Sequence, residues 1–169
     1  MFERRLFLEL LAGLGISFPH RFDTDHSGVS TTKLTQKRVK LLLLSEIEST
    51  TQSTTIVEHD SYYVAPKAIE PLLKLGQPVA ELESGKEPVD CEDYAQLWAS
   101  LQCFAHDINA VGWVIDDDAT HAYNCVVTAS EEVVWIEPQQ NRVVELGEPL
   151  FGDSENGEYS MKSGAEIYI

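Results

Sequence analysis

One strong helix followed closely by three strand-like segments decides the fold class. The helix is predicted from Cys91 to about His106, where Cys91, Ala95, Trp98 and Ala105 share one helical face. Behind it come Ala110–Asp116, Thr120–Thr128 and Val133–Glu137, each rich in β-branched or aromatic residues and bounded by turn residues. Asn141–Leu146 and Glu166–Ile169 read as weaker strands. Helix first and strands in sequence afterwards predict an α+β fold with an antiparallel sheet.

The rest of the chain is organised differently. Phe2, Leu6, Leu10, Leu11 and Leu14 line one face of a helix that Gly13 and Gly15 stop. Two arginines precede this apolar stretch, but Glu9 interrupts it, so an amphipathic helix is expected rather than a leader peptide. Val39, Leu42, Leu43 and Ile47 predict a second helix over residues 35–48. Residues 49–55, STTQSTT, form a polar tract. The expected organisation is a helical extension over 1–54 and a site-bearing domain over 55–169. Within the latter, Ser61–Val64 reads as a short strand, Lys67–Leu75 as a short helix and 79–88 as an acidic loop.

Charge supports that division. Residues 1–50 carry seven basic and six acidic side chains, whereas residues 51–169 carry five basic and 22 acidic ones. A surface so acidic repels phosphate backbones, so a nucleic-acid partner is not expected. No run of eighteen apolar residues occurs, so no membrane-spanning helix is expected either. The three cysteines, Cys91, Cys103 and Cys125, do not form a disulfide framework, and a reducing interior or a thiol with a chemical task is the simpler reading.

Three short elements carry candidate chemistry. In Pro88-Val89-Asp90-Cys91-Glu92-Asp93-Tyr94-Ala95, Asp90 is a helix cap and Asp93 completes a capping box, so Cys91 becomes the first helical residue. Unpaired N–H groups and positive partial charge at a helix start stabilise a thiolate and can receive an oxyanion, while the neighbouring acids act in the opposite sense. His121, in Thr120-His121-Ala122-Tyr123-Asn124, opens a strand and can take and return a thiol proton. Glu137 ends the apolar strand Val133-Val134-Trp135-Ile136-Glu137, where a carboxylate could orient the imidazole. Cross-strand partners share a face, so Glu137 is co-facial with His121 only if the hairpin loop around Ala129–Glu131 has three or five residues. An even loop would set Asn124 beside Glu137, which makes Asn124 the second candidate for the orienting group.

Together these elements resemble the papain/transglutaminase-like superfamily. Transglutaminase-core proteins read D-C-D-[DE]-[FY]-A, then H-A-W, then an aspartate. The present Asp90–Ala95, His121–Asn124 and Glu137–Gln139 are more similar to the papain-like C-terminal domain of a fungal agglutinin and to small phage-encoded relatives, with D-C-D-D-F-A, H-A-x-N and E-P-Q. The resemblance spans roughly residues 55–145. It implies a papain/transglutaminase-like fold, a nucleophile helix on an antiparallel sheet behind N-terminal helices, and a Cys91-His121-Glu137 triad. Glu92 stands where the pattern has aspartate, and no side-chain oxyanion donor is recognisable upstream.

Two functions follow as expectations. One is a thiol-dependent hydrolase or acyl transferase acting on a protein or peptide. The other is a non-catalytic structural or binding protein on the same fold, such as a phage particle component with a structural protein partner. Either implies a cytoplasmic or virion-associated protein. No cofactor is expected, and no cysteine-histidine cluster has the spacing of a transition-metal site. Weak calcium binding at Asp116–Asp118 or at Asp23–Ser27 is the open alternative, the latter resembling the first half of an EF-hand loop that lacks its closing glutamate.

Overall fold

A computed structural model describes residues 32–46, 54–55, 60–82, 89–116, 120–153, 155, 157–159 and 165–169. The helix expected over 2–14, the Asp23–Ser27 segment, most of the acidic loop, and Asp117 and Asp118 lie outside the described residues.

The chain begins here with β1 (Lys33–Thr35) and α1 (Gln36–Ser45), followed by β2 (Thr54–Thr55) and β3 (Ser61–Tyr63). Then come α2 (Glu70–Ala80), α3 (Cys91–His106), β4 (Val111–Asp116), β5 (His121–Val127), β6 (Val133–Glu137), β7 (Arg142–Val144) and β8 (Glu166–Tyr168). The main sheet runs β2-β8-β4-β5-β6-β7. Every pairing in it is antiparallel except that of β2 with β8. The α+β class expected from the sequence is the one observed: α3 packs on β4 and β5, and α2 packs on α3.

Alternation along β5 divides the core between two faces. Tyr123, Cys125 and Val127 join Val114, Trp135, Val39 and Leu43 in one cluster. Val126 joins Val111, Ile136, Tyr94 and Trp98 under α3 in the other. With apolar layers on both sides, β5 is buried along its whole length, His121 and Asn124 included.

The elements differ from their expected bounds where tertiary pairing intervenes. The polar tract 49–55 supplies Thr54–Thr55 as a parallel edge strand against β8. β1 pairs antiparallel with β3, and Val39 and Leu43 of α1 are fully buried in the cluster under β5. α2 begins three residues later than expected and continues through Pro78. Pro71 at its first turn needs no N–H partner, and burial of Leu72, Gly76 and Val79 sustains the last turns.

Candidate active site

The start of α3 is fixed by its cap. Asp90 Oδ1 accepts from the Glu92 and Asp93 N–H groups at 3.1 and 3.2 Å, and Asp93 Oδ2 accepts from the Asp90 N–H at 3.3 Å. The Tyr94 N–H already donates to the Asp90 carbonyl. Of the first-turn donors, the Cys91 N–H is therefore the one that this cap leaves over.

Cys91 lines a cavity of about 240 Å³ with Glu92, Ile115, Asp116, Thr120, His121 and Ala122. By strand alternation His121 belongs to the face of Tyr123 and Cys125, whereas α3 lies on the face of Asn124 and Val126. The cysteine and the histidine thus come from opposite sides of the sheet and line one cavity at the end of β5, beside Ala122. Burial pushes the Cys91 thiol above its ordinary value, and the Asp90 charge adds to the rise. The backbone N–H groups of Ala122, Cys91 and Glu92 act in the opposite sense, as donors to the sulfur. Burial outweighs these N–H groups, so the net direction is upward.

His121 is 6 % exposed and Glu137 is fully buried. The His121 Nε2 and Glu137 Oε2 atoms are 2.7 Å apart. The β5–β6 hairpin makes this possible: Val127 pairs with Val133 across a five-residue loop, one of the two lengths that render His121 and Glu137 co-facial. Glu137 has two further donors. The Tyr159 hydroxyl donates to Oε2 at 3.0 Å and the Gln139 N–H donates to Oε1 at 2.9 Å. A carboxylate that accepts at Nε2 favours the tautomer with a proton there, which leaves Nδ1 as the acceptor for a thiol proton.

Asn124 is placed elsewhere. Its Nδ2 donates to the Ala95 and Gly112 carbonyls at 2.8 and 3.1 Å. It ties α3 to the sheet and does not touch His121.

Sequence reasoning did not find Tyr159, Phe151 or the Ala122 N–H. Tyr159 arrives from an irregular segment whose path no periodicity reveals. Phe151 stands edge-on to His121 at 5.1 Å with φ of 54°, and is 40 % exposed. Asp116, read from the sequence as part of a calcium candidate, is the buried cross-strand partner of His121 and lines the cavity. Among the described residues, no group of three or more His, Cys, Asp or Glu could hold a metal ion, and no helix is long and apolar enough to cross a membrane. Among the described lining residues none is an asparagine or glutamine, so the oxyanion donors assignable there are backbone N–H groups and the Thr120 hydroxyl.

No family model and no curated protein matches the chain. Among solved structures, a PSL1a–E64 complex is similar, with a TM-score of 0.56 and 16 % identity, covering 81 % of this chain and 51 % of that one. The chain thus spans about half the length of this neighbour. The likeness shows a shared α+β fold, in which the helix that Cys91 opens packs on an antiparallel sheet.

Proposed function

We propose that the chain is a papain/transglutaminase-like thiol hydrolase or acyl transferase acting on a protein or peptide, with Cys91 as nucleophile, His121 as base and Glu137 as the group that orients the base. The observation that carries this reading is the buried 2.7 Å contact between His121 Nε2 and Glu137 Oε2, with the histidine lining one cavity with Cys91. Both groups are buried, and a buried carboxylate costs several kcal/mol to leave unpaired.

The chemistry then runs in two halves. His121 Nδ1 takes the Cys91 proton while the sulfur attacks an acyl carbon, and the carbonyl π pair moves to oxygen. The Cys91 N–H, the first-turn donor that the cap leaves over, would receive that oxyanion. Collapse re-forms the carbonyl and expels the leaving group, which takes the proton from the imidazolium. A thioester on Cys91 remains. Water, deprotonated by His121, releases an acid; an amine in its place releases an amide. The fold of the neighbour, itself a complex with E64, accords with this reading.

One observation favours the second reading, a non-catalytic structural or binding protein: burial and Asp90 raise the thiol rather than lower it. Alkylation separates the two. With iodoacetamide at pH 7 and peptide mapping, Cys91 should label well ahead of Cys103 and Cys125. His121→Ala should slow Cys91 by about tenfold or more, since a positioned base contributes at least that much to proton removal. Equal labelling of the three thiols in the folded protein, or indifference to His121→Ala, would sink the catalytic reading.

A further inference from the structure

We propose that Tyr159 is a positioning residue of this site, its hydroxyl pinning the Glu137 carboxylate so that His121 keeps its proton on Nε2 and presents Nδ1 to Cys91. The inference rests on the thiol reading above and extends it to a residue that neither the sequence motifs nor the triad requires.

Tyr159 is fully buried. A buried hydroxyl without a partner is costly, and the partner recorded here is Glu137 Oε2, the same oxygen that meets His121. Two donors on Oε2 and the Gln139 N–H on Oε1 fix both the position and the plane of the carboxylate. Without the hydroxyl, Oε2 is held only by the imidazole that it is meant to orient, and the Gln139 N–H on Oε1 is the one other bond that resists turning of the carboxylate.

The backbone around Tyr159 is tied down on both sides. Its N–H donates to the Glu148 carbonyl at 2.9 Å, and its carbonyl accepts from the Gly147 N–H at 2.7 Å. The Leu150 N–H donates to the Gly157 carbonyl at 3.0 Å, closing the loop between them. The ring stands edge-on to Tyr123 at 5.5 Å and to His121 at 6.1 Å. Burial and the Glu137 charge raise the phenol further above its ordinary value, so the hydroxyl remains a donor throughout the physiological range. The other polar and charged groups around the imidazole do not duplicate this contact. Asp116 is the cross-strand partner of His121 on β4, Glu92 and Cys91 of α3 and Thr120 of the preceding turn line the same cavity, and Arg142 pairs with Glu148.

Tyr159→Phe tests this, because phenylalanine keeps the ring packing and removes only the hydroxyl. Two readouts are needed. The first is the nitrogen-15 spectrum of the His121 imidazole at a pH where it is neutral. The wild-type protein should show a protonated Nε2 with a resolved proton; the variant should show that proton broadened or lost and the two tautomers mixed. The second is the rate of Cys91 alkylation, which should fall about tenfold in Tyr159→Phe, the scale of one hydrogen bond to a charged group. Adding Y159F to E137Q should then slow Cys91 no further than E137Q alone, because the hydroxyl acts through the carboxylate. An unchanged imidazole spectrum in Y159F, or full additivity of the two substitutions, overturns the proposal. A residue that only packed would lower thermal stability and leave the spectrum and the non-additivity untouched. If wild-type Cys91 shows no selective labelling, the thiol reading fails, yet the imidazole spectrum still decides the role of Tyr159.

Discussion

His121 and Glu137 are sixteen residues apart in sequence and 2.7 Å apart in space, and a single hairpin register sets that distance. Continuing the β5–β6 pairing from Asn124 opposite Ile136 puts Glu137 opposite Tyr123, and His121 two residues further along the same face. Such a diagonal neighbour is within reach of a long side chain. Glu137→Gln keeps the shape and an acceptor oxygen but removes the charge that stabilises an imidazolium. It should therefore slow Cys91 alkylation by about tenfold or more at neutral pH, with little change in thermal midpoint. Equal rates for the two proteins would show that the contact is structural only.

Glu137→Ala should behave differently. It strips the acceptor from three groups at once, the His121 imidazole, the Tyr159 hydroxyl and the Gln139 N–H. Leaving buried donors unpaired costs about 1–3 kcal/mol each where water cannot enter. A loss of about 3 kcal/mol or more in a denaturant titration is expected, against about 1 kcal/mol for Glu137→Gln, which strands the Gln139 N–H alone. A small loss for the alanine variant would mean that water refills the site.

The other thiols set an alkaline limit on stability. Burial pushes Cys125 up to about 12 from an ordinary 9.0, and Cys103 up to about 11. Below pH 9 the folded and unfolded chains both hold these protons, so the full stability is present. Above pH 9 the unfolded chain releases the Cys125 proton and the folded chain keeps it. Folding should then lose about 1.4 kcal/mol per pH unit from this thiol, until the folded group itself titrates near 12. Cys125→Ala should flatten that limb in urea titrations between pH 9 and 11. An unchanged slope would show that Cys125 does not contribute.

The sequence made the site elements legible because they are local. A capping box needs only Asp90 and Asp93, a strand start needs only the residues around His121, and loop parity follows from counting. The remainder depends on distant pairing. Nothing in STTQSTT announces that Thr54 and Thr55 will line up beside β8, since a two-residue parallel edge has no periodicity to detect. Tyr159 reaches Glu137 through backbone bonds among Gly147, Glu148, Leu150 and Gly157, and no local pattern encodes that path. The orientation of Asn124 was open by parity alone; the five-residue loop turns it to the face of α3.

Two glycines mark where backbones approach too closely for a side chain. A Cβ at Gly112 would lie 2.6 Å from the Tyr168 carbonyl oxygen and 3.0 Å from Cys125 Sγ. The first neighbour is backbone of β8 and cannot move without disturbing the β4–β8 pairing. A Cβ at Gly76 would lie 2.0 Å from Trp98 Nε1, in the α2–α3 contact. Gly112→Ala and Gly76→Ala should each cost about 1–3 kcal/mol by thermal or chemical denaturation, the usual penalty of overpacking. Neutral substitutions would place these elements further apart than described.

Asn124 ties together the elements that carry the candidate triad. Its amide donates to the Ala95 carbonyl on α3 and to the Gly112 carbonyl on β4, so it bridges the helix that begins with Cys91 to the sheet that carries His121. Both bonds are fully buried, and each is worth about 1 kcal/mol net, rising when a partner is stranded. Asn124→Ala should therefore lower stability by about 2–3 kcal/mol. Asn124→Asp should be worse, because a carboxylate would face two carbonyl oxygens with nothing to donate. In neither variant does the His121–Glu137 contact lose an atom. The His121 imidazole spectrum should therefore keep its protonated Nε2 in whatever fraction remains folded, and Cys91 alkylation should stay within a few-fold of wild type. A collapse of the imidazole tautomer in Asn124→Ala, with the fold intact, would mean that the helix-to-sheet tie also sets the geometry of the base.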